Sequence, residues 1–70
     1  MMPLSMVNVG ENKQVIKVTG KDETRKFLEN LGFVEGSDVT VISEIAGNLI
    51  VNVKDTRVAI DRSMANRIMV

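Results

Sequence analysis

Seventy residues with 44% apolar content, no Cys and no His allow one small domain held by apolar packing or association, because neither a disulfide nor a thiolate- or imidazole-bound metal can staple it. Nine basic and nine acidic side chains give zero formal charge, which argues against sequence-independent attraction to phosphate backbones or anionic lipid. The apolar runs are far shorter than the about 20 residues of a membrane span, and Met1 to Met6 lacks the basic start of a signal peptide. The chain is therefore expected to be cytoplasmic, without nucleic acid as a partner and without membrane insertion.

With no internal repeat or charge block, and Pro3 as the only proline, residues 1–70 read as one domain. Lys13 to Thr19 is rich in β-branched residues and predicts a first strand, with Ile16 and Val18 on one side and Lys17 and Thr19 on the other. Asp22 then serves as N-cap of a short amphipathic helix carrying Phe27, Leu28 and Leu31 at helical spacing. Gly32 falls where a left-handed residue ends a helix, with Phe33 folding back on Leu28. Val34-Glu35-Gly36-Ser37 predicts a type II turn, Gly36 supplying the positive φ at its third position.

Ser37 to Ile45 alternates, with Val39, Val41, Ser43 and Ile45 on one face and Asp38, Thr40, Ile42 and Glu44 on the other; Leu49, Val51 and Val53 repeat the pattern against Ile50, Asn52 and Lys54. The parity favours a hairpin with a three-residue loop, Ala46-Gly47-Asn48, which sets Ile45 opposite Leu49. A turn at Asp55-Thr56, a strand over Arg57 to Asp61 with Val58 and Ile60 inward, a helical turn capped by Ser63 and a last strand over Arg67 to Val70 complete the chain. Five short strands and one helix, between strands 1 and 2, predict a mainly β fold closed as a small barrel.

The residues offer no chemistry. A proton-transfer or nucleophilic site most often uses His, which is absent, and Ser5, Ser37, Ser43 and Ser63 read as caps and turns. The carboxylates lack the alternate spacing of a calcium loop, and the five methionines read as core filler or terminal residues rather than copper ligands. No catalytic, cofactor or metal residue is assigned. With Phe27 and Phe33 the only aromatics, the stacking platforms that bind single-stranded nucleic acid or proline-rich peptides are missing too. What remains is outward hydrophobicity at Ile42, Ile50 and Met69. Two readings stay open: a partner-docking patch, or residues covered within the same chain by Leu4, Met6 and Val7 or by the helix.

Leu31 to Val41, LGFVEGSDVTV, resembles the helix-exit signature L-G-L-x-P-G-x-x-V-x-V of FeoA domains, the ferrous iron transport protein A family. Leu4-Ser5, Val9-Gly10, QVIKVTG, RKFLENLG and the closing RVAIDRSMANRIMV follow the family's order over nearly the whole chain, with Ala59, Ile60, Arg62, Ala65, Ile68 and Val70 holding the closing pattern. Glu35 stands where the family usually has Pro, and Met64 where it often has an acidic residue. The resemblance implies an SH3-like β-barrel that serves in the cytoplasm as an accessory to the FeoB-type ferrous iron permease, through its GTPase-bearing region. SH3-like domains of metal-dependent repressors look similar, and a stand-alone regulatory domain of that type is the alternative. The residues carry no sign of an oligomeric state.

Overall fold

The computed structural model describes all 70 residues. The expected first strand is two: β1 (Asn12–Gln14) and β2 (Lys17–Val18). Between them the chain changes partners. Val15 donates to the Ser37 carbonyl at 2.9 Å, whereas the next N–H, on Ile16, donates to the Met69 carbonyl at 2.7 Å. The switch breaks the two-residue period, so Val15 enters the core and Ile16 is exposed, contrary to the pairing of Ile16 with Val18 read from alternation.

Helix α1 (Asp22–Leu31) begins at its expected cap, so the cap itself moves one residue earlier. Lys21, in extended conformation, is the N-cap and lends no side chain; the Asp22 carboxylate instead pairs with Arg25 at 2.8 Å. Leu28 is buried and Leu31 partly so, while Phe27 is 49% exposed. A single ten-residue helix on so small a core buries only a narrow line, and Phe27 lies one helical step outside it. The helix ends as expected. Gly32 is left-handed at φ 114°, its N–H donates to Glu29 and that of Phe33 to Leu28, which is the Schellman arrangement. Gly36 at φ 87° and the bond from Ser37 N–H to the Val34 carbonyl at 3.0 Å form the type II turn.

Strands β3 (Asp38–Ile45), β4 (Asn48–Val53) and β5 (Thr56–Asp61) form an antiparallel meander, to which β1 adds on the far side of β3, giving the order β1-β3-β4-β5. The β3–β4 loop has two residues, not three: Ile45 pairs with Asn48, and Ala46 and Gly47 take φ 51° and 83°, the type I′ geometry whose twist matches the strands. That loop mismatches the apolar faces by one residue. A β-bulge corrects it, leaving Ile42 unpaired between Val41↔Val51 and Ser43↔Ile50. Val39 and Val41 thereby reach the core beside Leu49, Val51 and Val53, and Ile45, expected inside, is 61% exposed.

The β4–β5 turn is also one residue earlier than expected. Lys54 and Asp55 occupy it at φ 49° and 61°, with Val53 paired to Thr56. Ile60 is buried and Val58 packs at the margin of the core. The next helical turn, α2 (Arg62–Ala65), is capped by Asp61 rather than Ser63: one Asp61 oxygen accepts from Met64 N–H and from the Ser63 hydroxyl, both at 2.8 Å. The last strand, β6 (Ile68–Met69), is shorter than expected and pairs with β2 as a second sheet. The N-terminal segment flanks β6, with Met2 and Val70 exchanging both backbone bonds at 2.9 and 2.8 Å. Its 3-10 turn (Leu4–Met6) is tied to the end of α2 by a hydrogen bond from Ser5 to Asn66.

The architecture is thus mainly β, with six short strands in two sheets instead of five in one closed ring. Fourteen apolar side chains form one core, among them Leu4, Leu28, Phe33, Val41, Val51 and Ile68. Every element except β1 lends at least one side chain to that cluster or packs one against it, which is how a chain of this length reaches a packed interior.

Candidate docking face

The pairing register sorts the four-stranded sheet into an inner and an outer face. Val39, Val41, Leu49, Val51, Val53 and Ile60 point inward and are buried. On the outer face, Asn12, Thr40, Asn52 and Arg57 form one cross-strand row, and Ser43, Ile50 and Ala59 the next. Two residues of a bulged strand oppose one on the partner, so Ile42 joins Ser43 opposite Ile50. Ile45, two residues beyond Ser43, extends the same face toward the hairpin tip. Three isoleucines and Ala59 therefore gather on one half of the outer face, and the polar row fills the other. Ile42 and Ile50 are half-buried by their strand neighbours, and Ile45 and Ala59 are exposed.

Of the residues singled out from the sequence, Ile42 and Ile50 are adjacent, closer than the diagonal placement expected from an unbulged hairpin. Met69 is half-buried on β6, in the other sheet, paired with Lys17 and bridged to Pro3. Sequence reasoning missed Ile45, because the loop length it favoured turned that side chain inward. The intramolecular cover considered above does not lie over the patch: Leu4 and Val7 enter the core cluster itself, and Met6 is exposed.

Beside the patch, Arg62 reaches back from α2 to the Glu44 carboxylate at 2.9 Å, an exposed pair across the end of β3. Asp61, the cap of α2, has a lowered pKa. The Met64 N–H, then the Ser63 hydroxyl, hold its carboxyl below 3.8, because both donors favour the charged form. An open hollow of about 670 Å³ lies under the Val34–Ser37 turn, lined mostly by polar groups including Asn12, Thr40, Asn52 and Lys54. A shallower one of about 230 Å³ separates Phe27 from Met64. No three His, Cys, Asp or Glu side chains converge on a point where they would hold a metal ion, and no helix is long and apolar enough to cross a membrane.

The model of the FeoA domain matches residues 2–70. The chain belongs to the FeoA family. Among solved structures it is similar to an iron uptake regulatory protein, FeoA, at 28% identity and a TM-score of 0.88 over 96% of this chain and 89% of that one. It is similar also to Stenotrophomonas maltophilia FeoA, solved with zinc and described as a procaryotic SH3 domain protein and a candidate ferrous iron transport activating factor, at 29% identity and a TM-score of 0.87 over 99% and 88%. A manganese-dependent transcriptional repressor shares the fold at 19% identity and a TM-score of 0.84, over 94% of this chain but 38% of that one. No curated protein sequence matches the chain significantly. The FeoA signature residues are chiefly those that set the fold: Gly32 and Gly36 at positive φ, and Val39, Val41, Ile60, Ala65 and Ile68 in the core.

Proposed function

We propose that the chain is a non-catalytic cytoplasmic accessory of ferrous iron uptake that acts by protein contact with the GTPase-bearing region of a FeoB-type permease. Iron specificity then resides in the permease, and this chain needs no cofactor or metal of its own. The docking surface in this reading is the outer isoleucine half of the four-stranded sheet, Ile42 and Ile50 extended by Ile45, with Met69 as a separate contact on the second sheet. Family membership supports the pathway. The observation that carries the surface is the bulge, which spends an unpaired residue of β3 to set Ile42 beside Ile50 on the solvent side. Aliphatic side chains gathered on an exposed face, rimmed by the polar groups of the neighbouring row, fit a protein partner better than a small molecule.

Co-purification of the chain with the permease's soluble GTPase region, with and without guanine nucleotide, tests this: retention in at least one nucleotide state is expected, and none in any state would overturn it. A stand-alone regulatory domain of the metal-dependent repressor type is the second reading, favoured by the fold shared with the manganese-dependent repressor. It predicts retention by the remainder of such a repressor and not by the permease.

A further inference from the structure

The four-stranded sheet has two unequal edges. β1 is three residues long and carries Lys13, so it offers little for another strand to pair with. β5 offers much more. It runs six residues in unbroken register with β4 and contains no Pro, Gly, Lys or bulge, and the backbone groups of Arg57 and Ala59 take part in no turn, loop or cap bond.

The groups left free on that side follow from the turn. A two-residue hairpin is closed by a pair that exchanges both its backbone bonds, here Val53 and Thr56. Thr56, Val58 and Ile60 therefore spend their N–H and C=O groups on β4; Arg57 and Ala59 present both of theirs outward, and Asp61 its N–H, its carbonyl being taken by the first turn of α2. The sequence over these positions, Arg57-Val58-Ala59-Ile60-Asp61, is complementary to itself when run antiparallel about Ala59. Ala59 meets Ala59, Arg57 meets Asp61 at both ends, and Val58 meets Ile60 between them.

We infer that the free edge of β5 pairs with β5 of a second copy, about a two-fold axis through Ala59, joining two four-stranded sheets into one. In this register all three outward-facing residues find partners, and each end of the contact carries an opposite-charge pair. The alternatives that keep the backbone parity are worse. Centring on Arg57 or on Asp61 sets like charges face to face, pairing Arg57 with Ala59 leaves the N–H of Asp61 against the turn, and pairing Ala59 with Asp61 sets Arg57 against α2. The side chains are free for the task. Arg57 takes part in none of the chain's ion pairs, and only one Asp61 oxygen is used in capping α2. Val58, at the margin of the core, gains cover from Ile60 of the second copy. On the outer face the row Ile50–Ala59 continues into Ala59 and Ile50 of the second copy, so the apolar half of each sheet becomes one continuous band. The inference does not depend on which partner the outer face binds.

The purified full chain tests it. An interface of one strand pair is small, so sedimentation equilibrium is expected to show a concentration-dependent rise from monomer to dimer mass; a monomer at concentrations up to about 1 mM overturns the proposal. Ala59→Pro removes the central outward N–H without touching the β4 ladder and should abolish the dimer while the circular dichroism spectrum stays native. Arg57→Asp, which sets a carboxylate against Asp61 of the second copy, should weaken association on the order of tenfold or more. Because the chain has no native cysteine, crosslinking gives an independent test: under oxidation the Ala59→Cys variant should form disulfide dimers several-fold faster than the control Ile45→Cys, whose position is also exposed. Equal rates, or a dimer that survives Ala59→Pro, would contradict the pairing.

Discussion

The two faces of the four-stranded sheet use the same kinds of residue to opposite ends. The inner face is a continuous block of Val, Leu and Ile closed over by Leu28 and Phe33, and each of those side chains is buried. The outer face carries isoleucines on one half only, on either side of a bulge, and leaves them half-buried or exposed. An inner-face aliphatic stabilises the fold by about 1.5–3 kcal/mol through its removal from water; an outer-face one contributes little until something covers it. Position relative to the bulge, more than residue type, separates the side chains that hold this protein together from those available to a partner.

The sharpest break in that comparison is Phe33→Ala. Truncating this fully buried ring should cost about 3–5 kcal/mol, most of the stability expected for a domain of this size, so the thermal transition should broaden or disappear. Ile42→Glu/Ile50→Glu should behave differently. With both carboxylates on the solvent face, the loss is expected to be about 1 kcal/mol, from mutual repulsion and shed contacts, and a cooperative melt should persist. Unfolding of that variant would mean the two isoleucines are core.

The turn that fixes the faces supplies a smaller test. Ala46 sits at φ 51° in a position that asparagine occupies with less strain. Ala46→Asn should therefore raise stability by about 0.5 kcal/mol in denaturant titration, whereas a three-residue loop with Ile45 turned inward would gain nothing from it. The smallest effect concerns Asp61. Its folded pKa is depressed below 3.8 by the Met64 N–H and the Ser63 hydroxyl, so its stabilisation is complete above that value and is lost as pH falls through the lower folded one. Asn still caps a helix but does not ionise. The gap in melting temperature between the native chain and Asp61→Asn is thus expected to narrow between about pH 5 and pH 2.

Much of the fold was legible because local signals and packing agree. Gly32-Phe33 and Gly36 announced a helix exit and a turn whose backbone conformations few other residues tolerate, and Leu49, Val51 and Val53 kept their parity through β4. The failures cluster where tertiary pairing overrides alternation. Nothing local in QVIKVTG shows that Val15 faces the strand beginning at Asp38 while Ile16 hands over to Met69. The parity argument for the β3–β4 loop was sound for an unbroken ladder and failed because Ile42 stands outside it. Of the candidate face, Ile42 and Ile50 were visible in the sequence as apolar residues out of phase. Ile45 was hidden by the loop length, and the isolation of Met69 in the second sheet by the division of the first strand.

The central claim is that the outer isoleucine half of the sheet meets the permease. Calorimetric titration of the permease's soluble GTPase region with the native chain and with Ile42→Glu/Ile50→Glu, in each guanine nucleotide state, addresses it most directly. The account predicts binding by the native chain in at least one state and an affinity at least about tenfold weaker for the folded double variant. Equal affinities, or no heat of binding in any state, would contradict it.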